Sequence, residues 1–183
     1  IDSIKEMPPT GIAYWCVLAA VAADVATAQS VKKMAISVPG WPKLPYPFET
    51  GVVTCTGMFG CLMHVSGLPG IDLSLNPPAI VPGGIANETA KALENIGAVA
   101  KAAGSSMDNF MECTVFISDT AGDKAFEEMN GAYAKFFGAI KPTRAAFFVK
   151  LVGTQLVEIK CSGWAPTPTT EAGEGKLGQK LMT

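Results

Sequence analysis

Alternating small, aromatic and charged positions mark two strand-forming runs near the C-terminus, Thr143–Val149 and Gln155–Cys161, around a Val152-Gly153-Thr154 turn. With a period of two, Arg144, Ala146 and Phe148 share one face, while Ala145, Phe147 and Val149 share the other. The spacing predicts an antiparallel hairpin about Gly153. Earlier apolar runs predict strands at Lys33–Val38, Val52–Thr56, Cys61–Ser66 and Phe110–Ser118, the second and third forming a hairpin around Gly57–Gly60. A helix is predicted over Ile85–Ala103, where Leu93, Ile96, Ala100 and Ala103 make one stripe and Gly104 is the stop. A second helix, Asp123–Phe137, carries Phe126, Tyr133 and Phe137 on one face. Pro39–Pro47 holds four prolines and reads as an irregular crossing, and Gly67–Gly84 reads as a long loop.

Strands alternating with two helices predict an α+β fold: a single mixed β-sheet with both helices packed on one face. The other sheet face then lacks a cover, and self-association is expected. At the N-terminus, Gly11–Ala23 is an uncharged run of 13 residues, too short to cross a bilayer and of signal-core length. Ala26-Thr27-Ala28 follows with small residues, which predicts cleavage before Gln29; an extra docked helix is the structural alternative. The expected division is therefore 1–28 leader, 29–164 domain and 165–183 flexible tail, with export to a periplasmic or extracellular space and no membrane contact once the leader is removed. An uncleaved leader would leave the chain cytoplasmic.

Charge narrows the functions. The 183 residues carry 14 Lys+Arg against 16 Asp+Glu, a formal net charge of −2, and the basic residues are scattered. A chain that grips phosphates concentrates them on one face, so nucleic acid is not expected as a partner. Of the five cysteines, Cys16 falls in the leader, and Cys113 and Cys161 sit in apolar strands as small hydrophobes. Cys55 and Cys61 flank Gly57–Gly60 and can pair in an oxidising compartment. No Cys/His spacing points to zinc, no metal or organic cofactor is expected, and His64, the sole histidine, reads as a packed strand residue.

An arginine among small and aromatic strand neighbours implies a partly buried guanidinium, which requires compensation by a carboxylate. Spacing alone favours a structural salt bridge at Arg144. In the predicted hairpin, however, Glu158 pairs near Phe148, about 13 Å along the strand from Arg144 at ~3.3 Å per residue. The two therefore meet on one small ligand only across a subunit boundary.

Pro142-Thr143-Arg144-Ala145 followed by Val157-Glu158-Ile159 resembles the strand pair of the Rid (YjgF-type) family of enamine/imine deaminases. Val65-Ser66-Gly67, Glu88-Thr89 through Asn95, Ala103–Asp108, Thr114-Val115-Phe116 and Met129–Tyr133 continue the likeness in order, from about Lys33 to Trp164. Three positions depart. Phe48 in Tyr46-Pro47-Phe48-Glu49 stands where the family usually carries a tyrosine, Leu68 where it has glutamine, and Ala146 where it often has cysteine. The Arg-to-Glu spacing is also one residue short. The resemblance implies a chorismate-mutase-like fold and a homotrimer with a central barrel and a site in each interface. It implies hydrolytic deamination of 2-imino or enamine acids to 2-oxo acids and ammonia, with Arg144 anchoring the substrate carboxylate and Glu158 as general base or water-orienting group. Ser66 and the backbone at Gly67 would hydrogen-bond the substrate, beside Ala146. Phe48 would form an apolar wall or serve only packing, and Asn130 would be a second polar contact or a buried capping amide. A non-catalytic carboxylate binder and an RNA-acting or protein-stabilising role are the alternatives.

Overall fold

The computed structural model describes residues 31–43, 45–56 and 60–167; the expected leader and all but the first residues of the expected tail lie outside them. Six strands form one sheet: β1 (Val31–Ala35), β2 (Gly51–Thr56), β3 (Cys61–Pro69), β6 (Phe110–Ser118), β7 (Thr143–Val149) and β8 (Val157–Ala165). Their order is β1-β2-β3-β8-β6-β7. Every neighbouring pair is antiparallel except β6 and β7, which run parallel. Two short strands, β4 (Ile71–Asp72) and β5 (Ala79–Ile80), pair in a separate ribbon within the expected Gly67–Gly84 loop. Helix α1 spans Gly84–Ala102 and helix α2 spans Ala125–Tyr133.

The expected α+β class, with one mixed sheet and two helices, is the observed one. The expected hairpin of β7 with β8 is not. β6 lies between them, with Cys113 in register with Arg144 on one side and Cys161 on the other. The reason is burial. Cys113, Val115 and Ile117 of β6 and Val157, Ile159 and Cys161 of β8 are buried, whereas β7 is mostly exposed. β6 and β8 present unbroken apolar faces to the helices and take the interior, while β7, whose corresponding face carries Arg144, is left at the edge. Boundaries shift too: Ala165 belongs to β8 rather than the tail, and the second helix is shorter at both ends than Asp123–Phe137.

Helix α1 buries Ile85, Ala92, Leu93, Ile96, Val99 and Ala100 against β3 and β8. Full burial of each larger side chain contributes roughly 1.5–3 kcal/mol. Gly104 ends the helix as its sequence position predicts. Its φ of 73° is the left-handed conformation that closes a Schellman motif, with Ser105 N–H donating to the Ala100 carbonyl and Gly104 N–H to that of Lys101.

Four described cysteines form two disulfides, Cys55–Cys61 and Cys113–Cys161. The second corrects the reading of Cys113 and Cys161 as free hydrophobes: antiparallel register places them directly opposite each other, with Cα atoms 4.1 Å apart. Packing and pairing are both satisfied there, since both residues are buried.

Glu88 is a buried carboxylate that accepts a 2.7 Å hydrogen bond from the Leu156 backbone N–H, tying α1 to the start of β8. Desolvation raises its pKa above the usual 4.5, against the backbone bonds from Leu156 and Val157. A raised carboxyl pKa gives stability that is full below the unfolded value and is lost as pH rises through the folded one. Glu88→Gln keeps an acceptor and never ionises. The melting temperature of Glu88→Gln minus that of wild type should therefore grow from acidic toward neutral pH. A difference that stays flat between pH 4 and pH 8 would show that Glu88 titrates as it does in the unfolded chain.

The helices cover one face of the sheet. On the other, Trp164 lies opposite Leu62, Ser162 opposite His64, and Phe116 between Glu158 and Phe147. Trp164 is 46% and Phe147 52% exposed, so the described residues leave this face open. Among the described residues no helix is long and apolar enough to cross a membrane.

Candidate functional site

Arg144 sits near the start of edge strand β7, whose first residue is pinned by Thr143 Oγ1 donating to the Met111 carbonyl at 3.0 Å. The arginine side chain lies on the helix side of the sheet. Its Cζ is 4.7 Å from the ring centroid of Tyr133 and 5.9 Å from that of Phe126, and Nη1 is 3.9 Å from Met129 Sδ. Among the described residues the only salt bridge is Lys91–Glu94, so Arg144 has no carboxylate partner there. The structural ion pair that spacing alone favours is absent from this set.

Glu158 faces the other way. Val157, Ile159 and Cys161 point into the core, which puts Glu158 on the open face, opposite Pro69 of β3 and Phe116 of β6. The expectation that Arg144 and Glu158 share a face fails, because it depended on the β7–β8 hairpin. Within one chain they cannot touch the same small molecule.

Gly67 lies in the irregular stretch of β3 between Val65 and Leu68, against Glu158. A methyl group at Gly67 would overlap Glu158 Oε1, the far end of a flexible side chain rather than backbone. Gly67→Ala should therefore fold and displace the carboxylate. Ångström-scale misplacement of a working group costs about 10²-fold in rate. The check is turnover beside thermal melting: unchanged turnover with the alanine in place would mean that the Glu158 position is immaterial.

Ser66 is already engaged, with Oγ donating to the Glu49 carbonyl at 2.6 Å and its N–H to the Thr50 carbonyl at 2.9 Å. These bonds fasten the Pro45–Thr50 segment to β3. Its hydroxyl can still accept from a ligand. Phe48 is 50% exposed, and its ring stacks parallel to that of Tyr46 at 5.8 Å. Phe48 and Ser66 line one open cleft of about 910 Å³ together with Trp41, Tyr46, His64 and Lys43. Ser66 and Gly67 are thus the hinge between this cleft and Glu158. His64 is not packed as expected; it is exposed, with Nδ1 3.0 Å from Ser162 Oγ.

Asn130 is partly buried on α2, and its position relative to Phe126 (i+4) and Tyr133 (i−3) places it on the turn between the two rings around Arg144. Ala146 is partly buried beside the core, in register with Val115. The structure therefore gathers Glu158 with Gly67, Ser66 and the Phe48 cleft, and separately Arg144 with Phe126, Met129 and Tyr133, on the helix face that by spacing also carries Asn130. Sequence reasoning missed the Phe126–Met129–Tyr133 surround of Arg144, although the i, i+7 spacing of the two rings was a legible signal. Among the described residues no group of three or more potential metal-ligating side chains gathers.

The family profile described as endoribonuclease L-PSP, that of the YjgF/Rid proteins, matches residues 51–163, more than half of the chain. The chain belongs to the Rid family. RutC family protein UK114 of Drosophila melanogaster is 40% identical over 54% of this chain and 69% of its own length. The 2-iminobutanoate/2-iminopropanoate deaminase of Bos taurus is 37% identical over 48% of this chain and 60% of its own length. The match thus spans less than two thirds of that deaminase. Among solved structures, the Rid-family protein YyfA of Yersinia pestis superposes with a TM-score of 0.62 at 26% identity, covering 73% of this chain and 100% of that one. The matched family range begins at β2 and ends in β8; Arg144, Asn130, Glu158, Gly67 and Ser66 lie inside it, whereas Trp41, Lys43, Tyr46 and Phe48 of the cleft precede it.

Proposed function

We propose that this Rid-family chain hydrolyses 2-imino and enamine acids to 2-oxo acids and ammonia, at sites completed between copies of a homotrimer. The observation that carries the reading is the Arg144 guanidinium at the sheet edge, which has no carboxylate partner among the described residues and only the Met129 thioether, a weak acceptor, against its Nη1. A guanidinium matches a carboxylate in bidentate fashion, which orients a small 2-imino acid by its charged end. Glu158 is the acceptor that suits water activation. Water adds to the C=N carbon as Glu158 takes one of its protons and returns it to the nitrogen; the hydroxyl proton then follows the same route, and ammonia departs as the C=O bond forms. Because Arg144 and Glu158 occupy opposite faces of one chain, Glu158 of one copy must serve Arg144 of another, which the open sheet face permits.

The names of the mammalian relatives, including the bovine deaminase, support the substrate class. The two disulfides support folding in an oxidising compartment after export. The absence of a hydroxyl on Phe48 favours a second reading, a carboxylate binder without turnover on the same assembly.

The test generates 2-iminopropanoate in situ by oxidising alanine and follows pyruvate and ammonia above the spontaneous rate. Wild type should accelerate hydrolysis and Arg144→Ala should not. Binding of pyruvate without any acceleration would leave the binder; neither binding nor acceleration would remove both readings.

A further inference from the structure

The Arg144 guanidinium is held without an opposite charge among the described residues, by two aromatic rings and a thioether. Tyr133 supplies the nearer ring. It is 4% exposed, and its hydroxyl is buried with no hydrogen-bond partner among the described residues. Burial pushes its pKa up to about 12, against the opposing pull of Arg144. The phenol is therefore neutral at ordinary pH and meets the arginine with its ring face, not with a phenolate charge. The ring also packs against that of Phe137, at 4.8 Å between centroids and a tilt of 41°.

An aromatic face attracts a cation through its quadrupole without consuming N–H donors, and the donor engaged among the described residues, Nη1, meets only the weak acceptor Met129 Sδ. A salt bridge in the same place would consume those donors. We propose that Tyr133, with Phe126 and Met129, is a positioning platform that holds the Arg144 guanidinium unpaired and presents its N–H fork to a substrate carboxylate. This rests on the reading of Arg144 as the carboxylate anchor. Tyr133 touches no substrate and acts through Arg144.

The test compares Tyr133→Phe, Tyr133→Leu and Phe126→Leu in two measurements. The first is the NMR shift of the Arg144 δ-methylene protons, which a ring face at this distance moves upfield. That displacement should survive in Tyr133→Phe and vanish in Tyr133→Leu. The second is titration with pyruvate as the carboxylate probe, alongside KM and kcat for 2-iminopropanoate. Tyr133→Leu should weaken pyruvate binding and raise KM by about 2- to 30-fold, the range expected for a lost cation–π contact. Its kcat should change less, and Tyr133→Phe should recover most of the loss. If Tyr133→Leu does not fold, Phe126→Leu, altered at a ring that is 43% exposed, examines the same platform without opening the core; it should weaken binding in the same direction. Arg144 shifts indifferent to loss of the ring, or equal damage from Tyr133→Phe and Tyr133→Leu, would overturn the proposal. A wild type with neither pyruvate binding nor imine turnover would overturn the deaminase reading instead, and the Arg144 shifts would still decide the platform.

Discussion

Arg144→Lys is expected to lose most imine hydrolysis although it keeps the positive charge. Lysine offers a compact ammonium on a flexible stem, so it can attract a carboxylate but cannot grip both oxygens in a fixed plane. It also loses the guanidinium carbon that lies 4.7 Å from the Tyr133 ring centroid. In the proposed site between copies, where the Arg144 exposed on a single chain is desolvated, loss of a charge-assisted pair is worth about 2–5 kcal/mol, a fall of roughly 30- to several-thousand-fold in kcat/KM. Stability should respond far less. Arg144 lies exposed on an edge strand and has no ion pair among the described residues, so its replacement strands no buried charge. The decisive comparison is turnover and melting temperature for Arg144→Lys and Arg144→Ala side by side. Turnover near wild type in both, or loss of the fold in both, would reduce Arg144 to a structural residue and remove the main support for deaminase chemistry.

Local pattern revealed the elements of this fold, and pairing between distant segments stayed hidden. Phe110–Ser118 and Thr143–Val149 match the observed strands because dense alternation of apolar and β-prone residues sets their limits, and Gly104 marks a helix end because only the left-handed residue closes it. Nothing local says that β6 separates β7 from β8. That order comes from burying Val115 and Ile117 beside Val157 and Ile159, a competition for the interior of the sheet that involves the whole chain. One wrong neighbour then carried a wrong conclusion about the site, placing Glu158 on the face of Arg144. The identities of Arg144, Glu158, Ser66 and Gly67 were legible through family resemblance. Their partition into two clusters on opposite sides of the sheet was not, because it depends on strand order and on the irregularity between Val65 and Leu68.

The same strand order makes the Cys113–Cys161 disulfide the strongest staple of the sheet, and its loss should be severe. It closes a loop of 48 residues, against 6 for Cys55–Cys61. By the loop-entropy estimate the longer closure stabilises by about 4 kcal/mol and the shorter by about 2 kcal/mol. At roughly 2–4 °C per kcal/mol for a domain of this size, the Cys113→Ala/Cys161→Ala variant should melt about 8–16 °C below wild type, and Cys55→Ala/Cys61→Ala about half as far below. The order of reduction should also differ. Cys55 is partly exposed at the end of its hairpin, whereas Cys113 and Cys161 are buried in the core, at 1% and 2% exposure. Thiolate exchange requires access to sulfur, so mild reductant should free Cys55 and Cys61 first and leave the buried pair intact until the sheet opens. Cys113 is also the register neighbour of Arg144, so opening the β6–β8 pair should loosen the strand edge that carries the guanidinium. Alkylation followed by mass spectrometry counts the thiols at each step, and melting curves of the two double variants give the stabilities. Free thiols at Cys113 and Cys161 in protein isolated from an oxidising compartment, or equal melting of the Cys113→Ala/Cys161→Ala variant and wild type, would show that the apolar packing of these two residues is enough and that the bond is dispensable.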